Sequence, residues 1–146
     1  MTSWRDSASE ASQADLDGLL NAAIEMASRL LISGRGFAPF SVTTSTDSED
    51  VVGMVQTGGD APASESPTLV EQLVEIMRGE RDQLRAAAIV SHVRLKSQDT
   101  AAISVELEHV EGAVMAAVLP YSKRRFSKKL EYGELQGMDS DARIWS

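Results

Sequence analysis

The sequence predicts an α+β domain: a mostly antiparallel sheet of five or six strands with two main helices, in the order α-β-β-α-β-β-β with a further weak strand at the end. Three observations carry this. Two segments place apolar residues at helical spacing, each opened by a capping residue. The stretch from Leu84 to Tyr121 reads as three successive strands rich in apolar residues. Only short polar links separate these strands, which favours hairpins over crossovers.

The first helix follows from Leu16, Leu19, Leu20, Ala23, Ile24, Ala27, Leu30 and Leu31, with Ser12 and Asp15 as a capping pair and Gly34 as the stop. Asp17, Asn21, Glu25 and Ser28 form a separate polar stripe, so one face packs and the other is solvated. Residues 1–12, rich in Ser and Ala, read as a mobile tail, leaving 13–146 as a single domain. The run from Phe37 to Thr44 is aromatic and β-branched and predicts a strand, with Pro39 near its start. Asp47–Asp50 is turn material, Val51–Val55 the returning strand, and 58–66 a loop. Ser66 then caps a second helix with Pro67 at its first position and an apolar stripe of Leu69, Val70, Leu73, Ile76 and Met77.

Beyond Gly79 the pattern turns to strands. Ala86–Val90 is apolar at successive positions, as in a central strand covered on both faces. Ala101–Val110 alternates, Ala113–Tyr121 is nearly all apolar, and Glu111-Gly112 is placed to turn the chain between them. A weaker strand is expected over 130–135, with Ile144 and Trp145 docking back onto the body. Both helices are expected on one face. The other face would then be left open, with Met115, Ala117 and Leu119 beside Glu106 and Glu108, and a homodimer or higher homo-oligomer would cover it.

Composition excludes several functions. The chain has 146 residues and no Cys, which removes thiol redox chemistry and zinc sites built on Cys pairs, and makes a reducing, cytoplasmic compartment the expectation. No apolar run reaches the roughly 20 residues of a membrane helix, and the N-terminus lacks the pattern of a signal peptide. The net charge of −8 opposes nucleic-acid binding by the whole surface. Its distribution is uneven. Residues 1–80 hold four basic and thirteen acidic groups, net −9, against ten and nine in 81–146, net +1.

Candidate chemistry is sparse. A turn near Gln98 would place His92 opposite Ile103, leaving His109 about 20 Å away along the sheet at 3.3 Å per residue. The two could not share a metal within one chain, and no metal or cofactor is expected. Glu106 and Glu108 lie on one side of a strand, about 6.6 Å apart, a spacing that suits paired acid/base carboxylates and equally suits a solvated sheet face. Arg94, Glu106 and Tyr121 are the candidate lining of a small-molecule pocket. Lys123, Arg124, Arg125, Lys128 and Lys129 place five of the fourteen basic residues within seven positions. They are either an anion- or nucleic-acid-binding cluster or a solvated loop that guards the sheet edge. Phosphate-binding Gly loops, H-E-x-x-H and G-x-S-x-G are absent from the sequence.

The passage from an amphipathic helix into Gly36-Phe37-Ala38-Pro39-Phe40-Ser41-Val42, a second strand, and Thr68-Leu69-Val70-Glu71 opening the next helix resembles the start of cytidine deaminases, over the first 90 residues. Those enzymes bind zinc through a Cys or His at that helix start and a Cys pair at the next, with a Glu beside the first ligand as acid/base. Glu71 matches that Glu, but Val70 stands at the first ligand's place and no Cys exists, so the resemblance implies no deaminase activity. The order of helix, hairpin, helix and three strands is similar to that of roadblock-type dimerisation modules. The Gly-x-Phe and Pro-Phe entry into the first strand resembles small bacterial proteins of unknown function. A non-catalytic, self-associating interaction module is the expected function, with a protein partner as a further expectation.

Overall fold

A computed structural model describes residues 10–33, 37–46, 52–56, 66–95, 100–123, 130–138 and 140–145. The order of elements is α1 (Glu10–Ser33), β1 (Phe40–Ser45), β2 (Val52–Gln56), α2 (Ser66–Glu80), a 3₁₀ turn (Arg81–Gln83), β3 (Leu84–Leu95), β4 (Thr100–His109), β5 (Val114–Lys123), β6 (Leu130–Tyr132) and β7 (Gln136–Met138). The expected α+β fold is therefore present. Of the expected tail 1–12, residues 1–9 lie outside the described residues, while 10–12 belong to α1, so Ser12 is buried within the helix and does not cap it; the expected turn 47–50 and, apart from Ser66, the loop 58–66 also lie outside the described residues.

Every described strand pairing is antiparallel, in the order β2-β1-β3-β4-β5-β6, with β7 also on β5. β6 and β7 follow one another along the same edge. β6 pairs with 121–123 and β7 with 116–118, and between them the Gly133 N–H reaches the Pro120 carbonyl at 2.8 Å. The edge is thus one strand position in two short pieces. Any Cβ at position 133 would stand 3.3 Å from Pro120, a close approach that suits glycine.

β3 is the central strand its apolar run predicts. Ala86, Ala88 and Val90 pack under α1 with Leu16, Leu19, Ala23, Ala27 and Leu31, joined by Phe40, Val42, Ile103, Val105, Leu107, Ala117 and Leu119. The alternate residues Ala87 and Ile89 face the other way, against Leu73, Val74 and Met77 of α2 and Ile144. The helices therefore lie on opposite faces, not together on one. A strand apolar at every position needs cover on both sides, and one helix supplies it on each. Within α2, Ile76 is exposed and Val74 takes the inward place.

The second correction concerns register. β3 and β4 pair as their turn implies, with His92 opposite Ile103 and Ala86 opposite His109. Between β4 and β5, however, the loop holds three residues. The His109 N–H bonds the Ala113 carbonyl at 2.9 Å, and the Gly112 N–H bonds the His109 carbonyl at 2.9 Å. Gly112, at φ 103°, adopts a conformation L side chains rarely take, as in a three-residue hairpin closed by a glycine bulge. Pairing shifts by one residue relative to a two-residue turn, and a one-residue slip exchanges the faces. Met115, Ala117 and Leu119 consequently lie on the α1 face, while Ala116 and Val114 stand opposite Glu106 and Glu108.

Candidate functional site

Polar side chains gather at three places. The first is the N-terminal end of α1, which begins two residues before Ser12. Asp15 accepts two hydrogen bonds from Arg85, Nε to Oδ2 at 3.0 Å and Nη2 to Oδ1 at 3.1 Å, while Arg85 Nη1 also reaches the Ser45 carbonyl at 2.8 Å. His109 Nε2 lies 2.8 Å from Asp15 Oδ2. The Glu111 N–H points at His109 Nδ1 from 3.1 Å, so Nδ1 is the acceptor and Nε2 carries the proton donated to Asp15. Ser12 Oγ lies 3.3 Å from the same Nδ1 and bonds the Glu111 carboxylate. Burial pushes the Asp15 carboxyl up, but the bonds and charges of Arg85 and His109 outweigh it and hold the group below its ordinary range.

Ser, His and Asp in contact invite comparison with a nucleophilic triad. The geometry opposes it. Ser12 is 0% exposed, so no substrate carbonyl reaches its hydroxyl, and the ring nitrogen that would take its proton already accepts a main-chain N–H. The constellation is a clasp joining α1 to the ends of β3 and β4.

The second place is the opposite end of the α1 face. His92 and Tyr121 join at 2.6 Å through Nε2 and the phenol oxygen, with the Phe37 ring 5.4 Å from His92. Burial lowers the His92 pKa and raises that of Tyr121. Both stay neutral near pH 7, so a single proton is shared between Nε2 and the phenol oxygen. Thr100 hydroxyl donates to the Tyr121 carbonyl at 3.1 Å and ties the end of β4 to β5.

The third is the α2 face, where the segment 140–145 crosses the sheet. Both oxygens of Glu108, a residue 6% exposed, accept main-chain N–H groups: those of Arg143 (3.0 Å), Ile144 (3.0 and 3.1 Å) and Trp145 (2.8 Å). Arg78 Nε donates to the Arg143 carbonyl, and Arg81 Nη1 to the Ile144 carbonyl at 3.2 Å. The Arg143 guanidinium pairs with Glu106 at 3.3 Å. Ile144 is buried beside Leu73, Met77 and Ile89, with Trp145 against the same cluster.

The expected pocket of Arg94, Glu106 and Tyr121 is not assembled. Arg94 and Tyr121 belong to the α1 face, with Arg94 exposed and Tyr121 buried, whereas Glu106 points to the α2 face. Nor are Glu106 and Glu108 an open carboxylate pair on a solvated face, because the segment 140–145 covers them. Lys123 closes β5 opposite Leu130; Arg124, Arg125, Lys128 and Lys129 lie outside the described residues. Val70 packs against the second core and Glu71 is exposed. Among the described residues no group of three or more His, Asp or Glu could hold a metal ion.

No family model, no curated protein and no solved structure matches the chain. Function is therefore argued from the chemistry of its surfaces. No described helix is long and apolar enough to cross a membrane. Large apolar side chains exposed among the described residues are Ile32, Ile76, Val110, Tyr132, Leu135 and Met138. Three of the six fall within seven residues on the β6–β7 edge, with exposures of 44, 43 and 57% for Tyr132, Leu135 and Met138. The sequence predicts one weak strand over 130–135; the edge is instead two pieces, 130–132 and 136–138, and their exposed apolar residues were not foreseen because pieces of three residues carry no alternation.

Proposed function

We propose that the protein is a non-catalytic interaction module that associates with a second copy of itself along the β6–β7 edge. The observation that supports this is the gathering of exposed Tyr132, Leu135 and Met138 on one open edge. Single exposed apolar residues are ordinary on any surface, but a sheet edge that carries several of them is a place where chains meet. The reading also draws support from the polar groups, since the clasp, the His92–Tyr121 pair and Glu108 all spend their bonding capacity within the chain.

A two-fold axis suits this edge. Antiparallel pairing centred on Leu135 sets Leu135 against its copy, with Tyr132 on the α1 face, where its hydroxyl bonds Ser28, and Met138 on the α2 face of each chain. Glu134 then falls opposite Gln136, so no like charges meet beside the centre. The test is the pair of substitutions Leu135→Lys and Met138→Lys, which add charge to the edge without touching either core. Loss of self-association with an unchanged circular dichroism spectrum is expected. Self-association that survives both changes would remove the edge from the account.

A further inference from the structure

We propose that the cleft on the α2 face is a peptide-binding site held in cis by the chain's own segment 140–145, and that in trans it takes an extended partner segment bearing a basic, a branched apolar and an aromatic residue in succession. The chemistry of the grip points there. The segment crosses the face of the sheet and not its edge, so side chains satisfy its main chain. One carboxylate gathers three successive N–H groups, and two arginines hold the carbonyls of Arg143 and Ile144. Successive N–H groups converging on an anion form a nest, a recurring mode of anion and peptide recognition.

Main-chain contacts of this kind accept any sequence, so selectivity rests on what the side chains meet. Arg143 finds the Glu106 carboxylate, Ile144 fills the slot between α2 and Ile89, and Trp145 lies on its rim. The surface continues past the segment. An open groove of about 840 Å³ runs from Arg143 along α2, between Glu71, Glu75 and Ile76. Its lining pairs the carboxylates of Glu71 and Glu75 with the guanidinium groups of Arg78 and Arg143 around Val74 and Ile76, which suits a partner chain that extends with polar and apolar side chains. The occupant in cis is small, with Ile144 as its fully buried apolar side chain and Trp145 half-buried. A short segment held this way opens locally without unfolding the domain.

The experiment titrates a fluorescently labelled peptide, Ser-Asp-Ala-Arg-Ile-Trp, into the full-length chain and into its Ile144→Asp variant, following anisotropy. Ile144→Asp unseats the segment in cis, so the variant should bind saturably, and the wild type at least about tenfold more weakly, because its site is free only in the open fraction. Adding Glu108→Ala to the variant should abolish binding. A folded Ile144→Asp protein that leaves the peptide unbound overturns the proposal. Should Ile144→Asp fail to fold, hydrogen exchange on the wild type decides: the amides of 143–145 are expected to exchange at least about a hundredfold faster than those of β3 and β4. Exchange only together with those strands would make the segment an integral part of the fold and overturn the site. A wild-type dimer dissolved by Ile144→Asp but not by Leu135→Lys would hand the cleft to a second copy and overturn the foreign partner.

Discussion

Replacing Asp15 with Ala tests whether the clasp anchors α1. Three hydrogen bonds from cationic or imidazole donors converge on this carboxylate, whose side chain is 16% exposed, with Arg85 at 21% and His109 at 4%. Bonds to charged groups contribute about 1.5–3 kcal/mol each, and removing one partner of a buried pair costs about 3–5 kcal/mol. Arg85 keeps the Ser45 carbonyl and some water, which recovers part of the loss; His109 is sealed and recovers none. The net cost is about 2–4 kcal/mol, or a fall in Tm of about 6–16 °C at 3–4 °C per kcal/mol for a chain of this size. Thermal unfolding by circular dichroism at pH 7 measures it. The dependence on pH follows from the depressed carboxyl. The folded chain binds the proton less readily than the unfolded one, so this stabilisation is complete above about pH 4 and is lost as the pH falls further. The gap between wild type and Asp15→Ala should therefore narrow toward pH 3. A variant melting within about 2 °C of wild type at pH 7, where 6 °C is the least expected, or a gap indifferent to acid, would refute the reasoning.

Two further perturbations read other parts of the structure. The pKa of His92 is lowered by burial beside the phenol of Tyr121. Its contribution is complete above about pH 6.5 and falls as the pH drops below that value, because the unfolded chain takes the proton first; wild type should lose more Tm than His92→Phe between pH 7 and 5.5, and parallel profiles would contradict this. At two glycines the signs should oppose. Gly112→Ala forces a side chain onto φ 103° and should cost about 1–2 kcal/mol, whereas Gly18→Ala, in open space inside α1, should add about 0.5–1 kcal/mol; urea denaturation that gives both the same sign would count against the assigned backbone.

Much of the fold was legible because single-residue patterns settle it. The stripe from Leu16 to Leu31 is the buried face of α1, Ala86–Val90 is the doubly covered strand, and a turn near Gln98 places His92 opposite Ile103 as it stands. Which face each helix takes was not legible, since α2 carries an apolar stripe that suits either side. The β4–β5 register turned on whether the loop held two residues or three, and Glu111-Gly112 is compatible with both until Gly112 is seen at positive φ. The polar sites were hidden for a different reason. Arg85 and His109 lie 70 and 94 positions from Asp15 in the sequence, and no local pattern links them. Alternating Glu106 and Glu108 read as a wet face because the main-chain groups that satisfy Glu108 come from a segment more than 30 residues later. A carboxylate's burial depends on what lies over it.

The most direct test of the account is the mass of the chain in solution. Size exclusion coupled to light scattering, at tens of micromolar protein, should return the mass of two chains for wild type and of one chain for the Leu135→Lys, Met138→Lys double variant. A wild-type mass of one chain across that range would contradict self-association along the β6–β7 edge.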